Sequence, residues 1–271
     1  MIKNFIGLSI FTFIFFINSH SVIAQKVIYP HTVFWNKTEI NQIFDNNWGV
    51  GLDFVYRRKN ELNQGGPFKT PLRESIRPWI HYQFNSNSRL SISPIGYMNT
   101  NEYIGKIDDF DTPDYHEWRT TIQYLHHQKV ANNKIMHTWR YRYEFRHQYQ
   151  PSIDDYRYFT RFRFRYRLRY VLTGNDFYKD KTWYAAVSNE IGLNLGKNVT
   201  LNTFNQNRLY IGAGYRFLNA ARVELRYVNR FRTRGATGFE FDNDQGVMLG
   251  IYIDQVSIFG SRRILPVRYS N

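Results

Sequence analysis

Apolar and polar residues alternate with period two along most of this chain, most plainly at residues 155–172. There Arg161, Arg163, Arg165, Arg167 and Arg169 take every second position, and Phe162, Phe164, Tyr166, Leu168 and Tyr170 fall between them. Only an extended strand sorts the two sets onto opposite faces. On a helix the arginines would spread around the cylinder and the aromatics would share no face. Two architectures use such a strand. A soluble sheet would turn the rings inward and leave the arginines in water. A transmembrane β-barrel would turn the rings to lipid and the arginines to its lumen.

The rest of the chain favours the barrel. The same alternation recurs at 48–57, 76–84, 90–99, 117–124, 139–146, 184–193, 208–217, 223–228 and 247–254. Most of these runs approach the ~9–11 residues that a tilted strand needs to cross a bilayer. With the arginine ladder they make ten strands. Residues 33–41 read as an eleventh, and 256–269 offers room for a twelfth. Bacterial single-chain barrels have even strand numbers, so the expectation is an all-β, transmembrane, antiparallel up-and-down β-barrel of ten to twelve strands, with twelve preferred. Connections also tend to alternate in length. They are short at 85–89, 128–133 and 217–221 and longer at 59–71, 100–113, 195–203 and 233–243. Short periplasmic turns and long external loops give that rhythm; a soluble sandwich gives no reason for it. The connection at 173–181 breaks it.

The first 24 residues add a compartment. Lys3 precedes an apolar run from Phe5 to Ile17, and Ala24 closes the segment before Gln25. This is the layout of a cleaved secretory signal peptide, the run being short of the ~20 residues of a helical span. Residues 25–271 then form a single outer-membrane β-barrel domain, with the mature chain starting at Gln25.

Composition sharpens this picture. Mean hydropathy is −0.54 although 18% of residues are aromatic, 21 Tyr and 22 Phe among them. Apolar positions diluted one to one by lumen residues, with aromatic girdles at the rims, give that combination. Cysteine is absent, which removes disulfides, thiolate metal sites and Cys nucleophiles. The formal net charge is +14. Without residues 1–24, which hold one Lys and no acid, it is 35 − 22 = +13. Such a charge seeks anionic partners, and export argues against nucleic acid.

The candidate chemistry lies on the polar phase of the strands. Arg119, Arg140, Arg142, Arg161, Arg163, Arg165, Arg167, Arg208, Arg216 and Arg226 share that phase, joined by Arg57 and Arg77. Glu117, Glu144, Glu190 and Glu224, with Asp53, are the acids available to pair with them. One reading is structural, an interior filled by arginine–carboxylate networks. The other is a wet cationic lumen, because twelve arginines face five acids and an unpaired buried charge is very costly. No catalytic constellation emerges. Outer-membrane lipid hydrolases resemble one another in a His with a Ser two places on, but Ser188 has Ala186 at the His position, and no His downstream of residue 24 has a Ser two places on. The adjacent His126 and His127 face opposite ways on a strand and cannot share a metal ion. The expectation is therefore a protein that is not an enzyme, with no cofactor and no metal. Its partners would be outer-membrane lipid and lipopolysaccharide, with anionic small solutes or acidic oligosaccharides in the lumen, and it would be a monomer.

Several stretches carry a family resemblance. They are Phe34-Trp35, the Tyr-Arg-Tyr-Glu-Phe-Arg run at 141–146, the Arg-Phe-Arg-Tyr-Arg-Leu-Arg run at 163–169, Ser188-Asn189-Glu190-Ile191, and the run from Phe204 to Arg216. With these the chain resembles a domain-of-unknown-function family of outer-membrane β-barrels common in Bacteroidetes. The resemblance spans most of 33–254 and implies a fold and a Gram-negative outer-membrane location, but no catalytic residues. The tail from Gln255 departs from it. The lumen arginines also look like those of small porins for acidic oligosaccharides, as a likeness of pattern.

Overall fold

The computed structural model describes residues 26–62, 65–174, 176–199, 201–234 and 238–256. The expected signal peptide, and all but Val256 of the segment reserved for a twelfth strand, lie outside the described residues.

Eleven strands close into one barrel: β1 (Val27–Ile43), β2 (Trp48–Lys59), β3 (Thr70–Asn85), β4 (Ser88–Thr100), β5 (Tyr115–Val130), β6 (Ile135–Gln150), β7 (Asp155–Val171), β8 (Thr182–Leu195), β9 (Phe204–Leu218), β10 (Ala221–Thr233) and β11 (Glu240–Ile253). Neighbours in sequence are neighbours in the wall and run antiparallel. The closing pair does not, since β1 lies parallel to β11 from Val27↔Glu240 to Ile40↔Ile253. Eleven lies within the expected ten to twelve, but it corrects the preference for twelve, and the parallel pair corrects the purely antiparallel closure. The segment read as 33–41 is a full strand of 17 residues, and its partner is β11 itself. With an odd number of strands, β1 begins at one end of the barrel and β11 finishes at the other.

The two ends differ. The turns 44–47, 86–87, 131–134 and 219–220 lie at one end with the 172–181 loop; 60–69, 101–114, 151–154, 196–203 and 234–239 lie at the other. At the first end, Asn47 (φ 68°) and Asn132 and Asn133 (φ 54° and 67°) take the left-handed conformation that asparagine tolerates better than most residues. The 172–181 loop is long because it does packing work. It carries Phe177, 1% exposed, into the barrel against Met136, Val171, Tyr184 and Ala186.

Burial is inverted relative to a soluble domain. Buried residues include Arg119, Glu144, Arg163, Glu190, Arg216, Glu224 and Asp244, whereas Val50, Ile76, Ile92, Ile122, Ile211 and Leu225 are exposed. Among the described residues no helix is long and apolar enough to cross a membrane, which says nothing about strands. Aromatic pairs sit near both rims of the outer face. Trp48–Tyr82 (5.0 Å between ring centres) and Trp183–Tyr215 (4.7 Å) lie at the short-turn end, and Tyr97–Trp118 (4.8 Å) and Phe34–Phe68 (4.8 Å) at the long-loop end.

Candidate functional site

Strand period fixes what enters the barrel. Every second residue points inward, and the inner faces of β5 to β10 carry most of the buried Arg and Glu. All seventeen residues singled out in the sequence lie on the inner face, but they do not form one uniform track.

Most of them belong to a salt-bridge network on the β5–β8 wall. Glu144, fully buried on β6, accepts hydrogen bonds from Arg161 Nε (2.7 Å), Arg163 Nη1 (3.0 Å) and Arg119 Nη1 (3.4 Å), and Arg142 lies 3.9 Å away. Glu190 on β8 accepts from Arg140 and from Arg163, with Arg208 at 3.4 Å. Glu117 binds Arg119 (2.7 Å) and, through both oxygens, Arg146 (2.8 Å each). Glu224 takes Arg167 (3.0 Å), Arg226 (3.2 Å) and the Tyr184 hydroxyl (2.8 Å). Each carboxylate answers more than one guanidinium, and multiple charge-assisted bonds are what make a buried carboxylate affordable. Arg216 stands apart. It lies under the β9–β10 turn, donating to the Asn219 carbonyl and, at 3.0 Å, to Asp254.

The network leaves arginines over. Arg165, in the middle of the ladder, makes no hydrogen bond among the described residues, and neither do Arg57, Arg77 and Arg89. Arg57 and Arg77 instead face indole rings, with Arg57 Cζ 3.9 Å from the Trp35 ring centre and Arg77 Cζ 5.5 Å from that of Trp79. A guanidinium over an indole face is attracted by the ring's negative face but still carries its full charge.

These surplus arginines line one large cavity of about 940 Å³. It reaches the short-turn rim at Phe44, Asp45, Asn47, Ser86 and Asn87 and runs inward as far as Trp35, Arg57, Arg73 and Tyr210. Its described lining holds fifteen arginines and one lysine against five carboxylates, 16 − 5 = +11. Adding the acids Glu117, Glu144 and Glu224 buried behind that lining still leaves 16 − 8 = +8.

The other mouth is crossed by the 101–114 loop, which contains a short 3-10 turn at Ile107–Asp111. The loop leaves the β4–β5 wall and reaches the opposite one. Tyr103, 1% exposed, donates its hydroxyl to Asp244 on β11 (2.9 Å) and meets Arg230 on β10. Asp109 accepts from Arg234 Nη1 (2.7 Å), and Lys106 reaches Glu240 (3.1 Å). Burial raises the Asp109 carboxyl, but the Arg234 guanidinium and the backbone N–H groups of Gly105 and Lys106 outweigh it and hold the group below the ordinary aspartate value. Hydrogen bonding to Glu240 raises the Lys106 ammonium. This latch was invisible in the sequence. Its only sign was the set of apolar residues, Tyr103, Ile104, Ile107 and Phe110, inside the connection.

Three further groups were missed. Arg222 and Arg230 lie on the inner face of β10, and Asp242 on that of β11. Arg222 pairs with Asp254, Arg230 with Asp244 at 2.5 Å, and Asp242 with His31 (3.0 Å) and Arg232 (2.5 Å). The periodicity of 223–228, extended at both ends, would have found the two arginines.

The fold and its interior thus define a closed β-barrel whose lumen is strongly cationic and latched at one mouth. The chain belongs to the family described as "Protein of unknown function (DUF2490)", which matches residues 32–240. No curated protein matches it. Among solved structures it is similar to one described as "NanC porin structure in rhombohedral crystal form", at 10% identity and a TM-score of 0.42, over 82% of this chain and 98% of that one.

Proposed function

We propose that the protein is a porin-like outer-membrane β-barrel that takes anionic solutes into its arginine-lined lumen. One observation carries the reading: a cavity of about 940 Å³ whose lining bears sixteen cationic side chains and five acids. Unpaired guanidinium groups are too costly to bury dry, so the cavity holds water and exchangeable anions, and its fixed positive charge selects them. The outer-membrane location is supported by the exposed aliphatic belt and the two aromatic rims, the surface pattern of lipid-facing strands. On that reading lipid and lipopolysaccharide cover the belt. A closed barrel has no free edge, so a monomer suffices. The short-turn end, where the cavity opens, faces the periplasm, and the 101–114 loop guards the outer mouth. The lumen solutes would be small organic acids or acidic oligosaccharides.

A specific observation also favours a second reading, a closed structural or interaction barrel: the latch across one mouth and the carboxylate-centred network on the wall. Planar-bilayer conductance separates the two. The first reading expects current with a reversal potential on the anion side in a KCl gradient, and a lower anion preference in Arg165→Gln and Arg77→Gln, which remove unpaired charges. A folded wild-type protein without conductance would leave the closed barrel.

A further inference from the structure

The surplus charge is not spread evenly, and its most unusual member is at the inner end of the cavity. Arg57 is 8% exposed, and its Nε and Nη1 are buried with no partner. Asp53, the acid nearest along its strand, is held by Lys37 at 3.4 Å. Directly across the strand pair from Arg57 stands Arg73, whose one hydrogen bond goes from Nε to Thr100 Oγ1 (2.9 Å). Like charges placed opposite each other on neighbouring strands destabilise a sheet. Here both guanidinium groups line the same cavity.

Arg208 approaches from β9, its Cζ 5.7 Å from the Trp35 ring centre, and shares Glu190 with Arg140 and Arg163. Two rings complete the wall. Trp35 and Tyr210 meet edge to face at 6.3 Å, and the Trp35 Nε1 is itself buried without a partner. Three guanidinium groups short of counter-charge and an unused indole N–H therefore converge beside two aromatic rings at the inner end of the cavity.

We propose that this inner end is a binding site for a small organic anion bearing two or more oxyanionic groups, carboxylate or phosphate. The Arg57 and Arg73 forks each match one oxyanion in bidentate geometry. Bound between them, the ligand replaces the missing counter-charge and turns a repulsive cross-strand pair into a clamp. Tyr210 supplies apolar surface for the carbon skeleton, Trp35 backs the Arg57 guanidinium at 3.9 Å, and the indole N–H supplies a neutral donor. A monovalent anion satisfies one fork and leaves the other uncompensated, so valence sets selectivity. The inference rests on the lumen being a wet cationic cavity, and it adds where in that cavity the ligand stops and which groups hold it.

The test is calorimetric titration of the full chain, folded in detergent at low salt, with citrate, with fructose 1,6-bisphosphate and with acetate. One saturable equivalent of citrate or the bisphosphate is expected, and whichever binds tighter identifies carboxylate or phosphate as the preferred group; acetate should not saturate. Arg57→Gln should weaken binding about tenfold or more, the loss of a charge-assisted fork. Arg57→Lys keeps the charge and loses the fork, and should also weaken it. Arg89→Gln, an unpaired arginine of the same cavity near the short-turn rim, should change it by less than about twofold. Equal losses at Arg57 and Arg89 would reduce the site to diffuse charge and overturn it. Anion-selective conductance without saturable binding would also overturn it while leaving the porin-like reading intact. Arg57-dependent binding in a protein that conducts nothing would support the site and remove the channel.

Discussion

Replacing Glu144 by Gln tests whether carboxylates organise the lumen wall. The side chain is fully buried, and three guanidinium groups donate to it at 2.7, 3.0 and 3.4 Å. Glutamine keeps the shape but removes the charge, and it turns an NH2 donor toward groups that are themselves donors. A charge-assisted hydrogen bond contributes about 1.5–3 kcal/mol, so three independent ones would exceed 4 kcal/mol by that scale. They are not independent, and cavity water takes over part of the solvation of Arg163. The expected cost is therefore that of breaking one buried ion pair, about 3–5 kcal/mol. Urea refolding into lipid vesicles, read by the gel shift of the folded barrel, measures it. Arg165→Gln is the control. It removes an arginine with no partner from the same wall and should be neutral or slightly stabilising. The reasoning is refuted if Glu144→Gln stays within about 0.5 kcal/mol of wild type, or if Arg165→Gln costs as much.

Arginine at Ile122, outward on β5 and 40% exposed, or at Phe164, should cost about 2–4 kcal/mol in the same titration. If both are tolerated, the outer face is not in lipid. Tyr103→Phe combined with Asp109→Asn removes two ties of the 101–114 loop and should raise bilayer conductance; unchanged current would mean the loop does not gate. The same latch gives a pH dependence of known sign. Asp109 is held below its ordinary value of 3.8, so its contribution is complete above 3.8 and is lost only as pH falls through the depressed value. Conductance should be flat from about pH 7 to 4 and rise below that, and a rise near pH 6 would place the control on a histidine instead. Finally, a Cβ at Gly246 would lie 1.8 Å from the Val33 carbonyl oxygen across the β1–β11 seam, so Gly246→Ala should block folding. Gly192→Ala, whose Cβ would lie 3.2 Å from a Gln206 side-chain carbon, should be mild. Tolerance at Gly246 would mean that β1 and β11 do not pair in this way.

The faces of the strands were legible in the sequence because the strand period is a local property. Arg161 to Arg169 against Phe162 to Tyr170 could be sorted without any knowledge of neighbours, and so could Trp79 and Met248, inward although apolar, from the phase of their runs. Which arginines keep a free charge was not legible. Arg163 and Arg165 are equivalent in the ladder, yet the first meets Glu144 and Glu190 while the second meets no acid. That difference depends on side-chain reach and on the stagger between β6, β7 and β8, which no single strand records. The same holds for the loop from Asn101 to Asp114, whose partners Asp244, Arg230 and Arg234 lie more than a hundred residues away.

The preference for an even strand number failed for a related reason. An even count follows if every neighbour is antiparallel, because the chain must then return to the end where it began. The β1–β11 pair removes that condition. A parallel ladder still satisfies the backbone donors and acceptors of both edges, so closure needs only two edges of matching length, and β1 with 17 residues and β11 with 14 provide them. What selects this pairing is side-chain size on the inner face. Gly246 lets β11 come close to Val33, and Trp35 packs with Met248, Tyr210 and Val228 in a small apolar patch that faces inward. That patch also forms one wall of the innermost cavity, beside Arg57 and Arg208. The seam that closes the barrel and the place where its charge is least compensated are thus built from the same residues, so substitutions that loosen the first should also degrade anion binding at the second.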